Sequence, residues 1–547
     1  MSSRGFSLGL ILGMVLALPI RGHAADTGKP EAKPEAKSEA ASPAPNPYIE
    51  ERHESHGSIT LAGKRIDYTA VAGTLMIEDS KNEPGAMMSY VAYLRNGAGP
   101  AADRPIVFLY NGGPGSSTLW LHLGAFGPKR VVVGDAMRGP PAPYPLVDNS
   151  DCPLDVADLV FIDAPGTGFG RVGVDVEKIP AEDGKREEAR KKNGELAKEF
   201  YGVDQDARAF DIFITKFLTR FSRWNSPRFL FGESYGTTRS AALSAVLESR
   251  SDLDLNGVML LSQILNFDLS DDGPQDDPGN DMPYVMSLPT YAATAWYHKK
   301  VANAPQDLEA FVTQVEQFAV GDYQSALMAG DSLSAQQRHA VAERLHDLIG
   351  LPVDYLEKAN LRINGGMFEK TLLEDQGLTI GRLDTRYTSP TIDLLSKEAE
   401  YDPQSAAIDS AFVSTYNEYA RATLGFPRDE QYEPELDLWT QWDWKHKQPG
   451  AQQGNPFAVN VMPDLALVMK TDPQLKVALF SGYYDLATPF FEGQYELNHL
   501  GLPAAVRKNI EIHHFSAGHM VYVSPDALKQ LHDLFVAFVE ASSHSSR

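Results

Sequence analysis

Gly232-Glu233-Ser234-Tyr235-Gly236 sets a serine between two glycines, each one residue removed. A serine hydroxyl is a weak nucleophile until a base takes its proton. It also needs a sharp turn that lifts it clear of a sheet, and small flanking residues make so crowded a backbone possible. Here the apolar run Phe229 to Phe231 precedes the motif and the helix-compatible TRSAALSAVLES follows it. Ser234 is therefore the expected nucleophile.

A base must accompany it, and 14 histidines are available. His519 lies in SAGHMVY, a glycine-bearing loop after the final strand and before the final helix, and is the expected base. His513 and His514 are rivals, but both fall within the strand itself, where packing or hydrogen bonding is the simpler role. The base needs an acid to fix its tautomer and stabilise the imidazolium. Asp485, in FSGYYDLATP, follows an apolar strand and completes the chain order Ser, Asp, His. Its alternative role is a loop aspartate beside a helix start, with Thr488 as N-cap and Pro489 as first helical residue. Acyl transfer also needs backbone N–H donors for an oxyanion. The run Asn111-Gly112-Gly113-Pro114-Gly115 follows another apolar strand, and Gly113 and Tyr235 are the expected donors; a tight turn without a ligand is the plainer alternative for the loop.

These residues converge only if strands and helices bring them together. Strands are predicted at Ile106 to Tyr110, Leu159 to Ile162, Phe229 to Phe231, Gly257 to Leu261, Val477 to Phe480 and Ile510 to Phe515, each a short buried run. Between the second and third, Ala207, Phe210, Ile214, Phe217 and Phe221 recur at steps of three and four, one apolar helix face. A last helix is predicted from Ser524 and Pro525, with Leu528, Leu531, Phe535 and Phe538 inward. Such alternation predicts an α/β fold of the hydrolase type, a mostly parallel central sheet flanked by helices. Earlier runs such as Ser58 to Leu61 and Thr74 to Ile77 read as antiparallel strands. Residues 269–469 break the rhythm with DLSDDGPQDDPGNDMP and then helical stretches such as Pro305 to Phe318 and Ser334 to Ile349, an inserted and mainly helical cap. The catalytic domain is thus expected in two parts, 48–268 and 470–547. No internal repeat is apparent, and the charged run Glu182 to Glu199 reads as a solvated helix or loop.

Residues 1–25 have the pattern of a signal peptide, with Arg4, an apolar stretch from Phe6 to Ile20 and small residues at Gly22, Ala24 and Ala25. Residues 26–47, rich in Lys, Pro, Glu and Ala, read as a disordered linker. An exported protein, periplasmic or secreted, without stable membrane insertion once the leader is removed, is expected. The 547 residues are 43% hydrophobic and carry a net charge of -24, which repels phosphate backbones and argues against nucleic acid as a partner. The single cysteine, Cys152, has no internal disulfide partner and reads as a small buried hydrophobe. Nothing in the sequence calls for a metal or cofactor.

The motifs NGGPGSS at 111, FGP at 126, DLVFIDAPGTGFGR at 158, GESYGT at 232, SGYYDLATP at 481 and AGHMV at 517, in that order, resemble the serine carboxypeptidase family over roughly 105–268 and 470–547. The resemblance implies that Asn111 and Glu233 bind the terminal carboxylate of a peptide. A glutamate donates to a carboxylate only when protonated, so that role needs a raised pKa; a structural carboxylate supporting the turn is the other reading of Glu233. Three positions depart from the family pattern. Ala125 stands where a second recognition glutamate is usual, Leu109 where a tryptophan is, and Ser116 where a cysteine is. The expected function is a serine carboxypeptidase acting on peptides through an acyl-enzyme on Ser234. An esterase or acyltransferase using a small acyl substrate is the alternative, and a non-catalytic hydrolase-fold binding module a more distant one.

Overall fold

The computed structural model describes residues 48–543 apart from 177–178, 180–183, 273 and 455–458, so the expected leader and linker lie outside the described residues. Three long strands, β1 (Arg52–Leu61), β2 (Lys64–Glu78) and β3 (Pro84–Arg95), run antiparallel to one another. After them come β4 (Ile106–Tyr110), β5 (Asp158–Ile162), β6 (Arg171–Val172), β7 (Arg228–Glu233), β8 (Gly257–Leu261), β9 (Lys476–Gly482) and β10 (Ile510–Phe515). All ten form one sheet in the order β1-β2-β3-β5-β4-β7-β8-β9-β10, with β6 paired to β3. From β5 to β10 every neighbouring pair is parallel. Parallel pairing demands crossovers, and those helices cover both faces, which explains why β4, β5 and β8 are buried at every residue.

The period of two along each strand divides the interior into two layers. Val107, Leu109, Phe229, Phe231, Met259, Leu261, Ala478 and Phe480 face one core, where helix Pro525–Ser543 inserts Leu528, Leu531, Phe535 and Phe538. Phe108, Leu230, Val258, Leu260, Val477 and Leu479 face the other, against helices Val203–Arg220 and Tyr235–Ser251. The predicted apolar face holds at Ala207, Phe210, Ile214 and Phe217, all buried, while Phe221 lies past the helix as its C-cap and is half-buried.

β8 and β9 are hydrogen-bonded neighbours although residues 262–475 separate them. That insertion carries helices Met282–Tyr297, Leu308–Phe318, Ala335–Ile349 and Pro403–Ala422, among others, and a hairpin of Leu378–Ile380 against Thr388–Pro390. Helix Leu308–Phe318 starts later than the expected Pro305, because Asp307 caps it by accepting from the Ala310 N–H at 3.1 Å. Ser334 and Gln337 form a reciprocal capping box before Ala335. Much of the insertion buries its own core, but helix Pro403–Ala422 packs Ile408, Phe412, Tyr416 and Tyr419 into the first sheet layer. The described residues accordingly make one compact unit. No helix among the described residues is long and apolar enough to cross a membrane.

Candidate active site

Each expected chemical group follows the C-terminal end of a parallel strand: Asn111 after β4, Ser234 after β7, Asp485 after β9 and His519 after β10. Ligands of open α/β sheets gather along that edge. Ser234 has φ 60° and ψ −130° between β7 and helix Tyr235–Ser251, a strained turn that its N–H helps secure by donating to the Leu261 carbonyl at 3.0 Å. The Gly112 backbone presses against this turn so closely that a Cβ there would lie 2.5 Å from the Tyr235 amide nitrogen. Gly113 and Tyr235 line the same cavity as Ser234, and among the described residues neither backbone amide donates a hydrogen bond. Free donors so placed can receive an oxyanion.

His519 Nδ1 meets Asp485 Oδ2 at 2.8 Å. Asp485 is fully buried, and its carboxylate also accepts the Ala487 N–H at 2.9 Å, the Thr488 N–H at 3.0 Å and the Thr488 hydroxyl at 2.8 Å. Thr488 therefore serves the aspartate rather than the following helix, which begins at Phe490 after Pro489. Burial lowers the His519 pKa, but the charge and hydrogen bond of Asp485 outweigh it and leave it raised. With Nδ1 donating to the carboxylate, Nε2 is the nitrogen left to accept a proton. Ser234 and His519 line one cavity of about 670 Å³, although among the described residues no hydrogen bond joins the hydroxyl to the imidazole. Such bonds are often long before substrate arrives. The rival histidines stay in β10: His513 stacks on Phe480, and burial lowers His514 to about 4.

Behind the serine, Glu233 is 3% exposed and accepts the Asn111 side-chain amide at 2.7 Å. The Tyr522 hydroxyl donates to the same carboxyl at 2.9 and 3.1 Å. Burial pushes the Glu233 pKa up to about 7, against the opposing effect of His519 and the two donors. Tyr522 escaped the sequence reading; its signal was a tyrosine three residues past His519, in the short 3-10 turn Val521–Val523 before the last helix. Arg239 escaped too. Fully buried, it pairs with Asp206 at 2.6 Å and donates to the Asn111 carbonyl at 2.7 Å, fixing the glycine loop from below. A lone arginine in the otherwise small and apolar TRSAALSAVL was the available signal.

The three departures have distinct surroundings. Ala125 is fully buried in a π-helical turn, Leu121–Phe126, where its carbonyl accepts from Asn149 at 2.7 Å. Leu109 packs in the sheet core, and the Ser116 hydroxyl accepts the Trp120 indole N–H at 3.0 Å. Further carboxyls reach the cavity from the insertion instead: Asp409, Glu435, and Asp272 bound to Arg382 at 2.8 Å. Burial, with Glu435 and Asp402 nearby, raises Asp409 to about 7. Cys152 is buried, and burial pushes its thiol up.

A comparison with curated protein sequences finds no match. Among solved structures, the prohormone-processing carboxypeptidase Kex1 of Saccharomyces cerevisiae superposes with a TM-score of 0.52 at 15% identity, covering 86% of this chain and 91% of that one. Proline iminopeptidase of Mycobacterium smegmatis covers 87% of this chain and 100% of its own at 12% identity and a TM-score of 0.34. The serine carboxypeptidase profile matches residues 67–545, nearly the whole described chain, and the protein thus belongs to the serine carboxypeptidase family of hydrolases.

Proposed function

We propose that this carboxypeptidase removes C-terminal residues from peptides through an acyl-enzyme on Ser234. The observation that carries the reading is the buried Asn111–Glu233 pair, 2.7 Å apart and in the same cavity as Ser234 and His519. A protonated Glu233 and the Asn111 amide would receive the free carboxylate of the substrate. His519 Nε2 takes the Ser234 proton as Oγ attacks the last peptide carbonyl, the Gly113 and Tyr235 amides hold the oxyanion, and Asp485 stabilises the imidazolium. The imidazolium then protonates the leaving amine, and water, activated by the same base, releases the shortened peptide.

Ala125 favours a second reading, because one carboxyl of the usual recognition pair is missing: an esterase or acyltransferase with the same nucleophile. A mass-spectrometric digest of matched free and amidated peptides separates the two. Strong preference for the free acid supports the exopeptidase, and equal turnover of both sinks it. Fluorophosphonate labelling that survives Ser234→Ala would place the nucleophile elsewhere and refute both. Export by the leader at 1–25 belongs to the same proposal, and it predicts a mature N-terminus near residue 26 when the protein is recovered from outside the cytoplasm.

A further inference from the structure

The acid and base stand on separate loops, one after β9 and one after β10, and a third segment links them. The hairpin Leu378–Ile380/Thr388–Pro390 of the insertion closes with the Gly381 N–H on the Tyr387 carbonyl at 3.0 Å. Its loop turns inward, and Asp384, Thr385, Arg386 and Tyr387 are buried. The Arg382 carbonyl accepts the Leu486 N–H at 3.0 Å, and the Leu383 carbonyl accepts the His519 N–H at 2.6 Å. The Thr385 N–H donates to the Tyr484 carbonyl at 3.0 Å, so the loop holds the residues on both sides of Asp485 as well as His519 itself. Gly518 fits this approach: a Cβ there would fall 2.4 Å from the Asp384 Cβ.

Asp272 and Asp135 pair with the loop's Arg382 and Arg386 side chains, and a third outside carboxylate holds its backbone. Asp402 Oδ2 accepts the N–H of Arg382 at 2.7 Å and of Leu383 at 2.9 Å, the same two residues whose carbonyls carry Leu486 and His519. Its Oδ1 caps helix Pro403–Ala422 by accepting the Ser405 N–H at 2.7 Å. We propose that the hairpin loop aligns the acid with the base, and that Asp402, which touches neither, is a positioning residue for the reaction. This rests on the roles given above to Asp485 and His519. The physical reason is that a small displacement of a base from its acid or nucleophile is costly, about a hundredfold in rate for 1 Å.

Asp402→Ser tests it, because serine still caps a helix but has no second oxygen for the loop amides. The expected result is a kcat lower by between about tenfold and a hundredfold, with KM changed far less. The acidic limb of the kcat/KM profile should also move to lower pH, since the Asp485 contact that raises His519 is loosened; Glu233, which also raises it, is untouched, and the Arg382 guanidinium, which opposes, stays paired with Asp272. The low-field Nδ1 proton of the imidazole should broaden or vanish. A folded variant with wild-type kcat and an unmoved acidic limb overturns the proposal. If the variant does not fold, hydrogen exchange on the wild type decides, and Leu486 and His519 amides exchanging as fast as exposed ones overturn it. Asp485→Asn separates the two layers of argument: if it leaves kcat intact, the acid–base reading itself fails; if it is crippled while Asp402→Ser is not, only the positioning role fails.

Discussion

At Glu233 the opposing influences can be ranked. Burial dominates and holds the group near pH 7, while the Asn111 and Tyr522 donors pull the other way. A carboxyl titrating there donates to a bound carboxylate in acid and repels it once ionised. KM for free-acid peptides should therefore rise as pH passes about 7, while that for neutral esters stays flat. Glu233→Gln should keep acid-side affinity and lose this dependence, because an amide donates at every pH; a Gln variant that still follows the wild-type KM profile would refute the assignment. Asp485, the proposed acid, gives a second test at this scale. Replacing it with Asn removes the charge and favours the wrong tautomer, and kcat should drop by about four powers of ten, measured on an ester to exclude binding effects. That Ser234, His519 and Asp485 come together was legible because each sits in a short motif of fixed strand context. Tyr522 and Arg239 were not, since a tyrosine or arginine becomes informative only when the partner carboxyl is known to lie opposite.

Among the elements, helix Tyr235–Ser251 does more than follow the nucleophile. Arg239 reaches from it to Asp206 on helix Val203–Arg220 and to the carbonyl of Asn111, joining two helices to the glycine loop inside a buried layer. Removing one partner of such a pair strands the other charge, typically at about 3 to 5 kcal/mol. Arg239→Met should show that loss in chemical denaturation, and Arg239→Met with Asp206→Leu should recover much of it. Equal stability of the single and double variants would contradict a dominant buried-charge penalty. The sequence located the strands of the parallel half to within two residues at each end, because burial on both faces writes continuous apolar runs. It did not reveal that helix Pro403–Ala422 returns to the sheet or that the hairpin loop reaches His519. Those contacts join residues far apart in the chain, and no local periodicity records them.

Over the whole molecule, burial outweighs the hydrogen bonds that several carboxyls accept, such as those from Gln263 and Leu265 to Glu496 and from Tyr291 to Asp271. Burial raises Glu369 to about 8 and Glu496 to about 8, and lifts Asp271 and Glu492 well above the usual range. A carboxyl whose folded pKa exceeds its unfolded one stabilises the fold fully below the unfolded value and loses that contribution as pH rises through the folded one. His446 acts in the same direction. Burial lowers it, but Asp204 at 2.6 Å and Asp464 at 2.8 Å outweigh that and raise it to about 9, so its contribution also fades as pH rises. The thermal midpoint should thus be higher near pH 5.5 than near pH 8.5, and Glu369→Gln should narrow the gap. A midpoint independent of pH across that range would contradict this.

The pairing of β8 with β9 across residues 262–475 also orders events during synthesis. A ribosome exposes Ser234 and its elbow long before the strand that precedes Asp485 exists, and His519 arrives later still. Every chain that stops short of His519 consequently bears the proposed nucleophile without its proposed base. On the proposed roles, hydrolytic power is withheld until β10 and the loop after it have been made, a latency that follows from strand order alone.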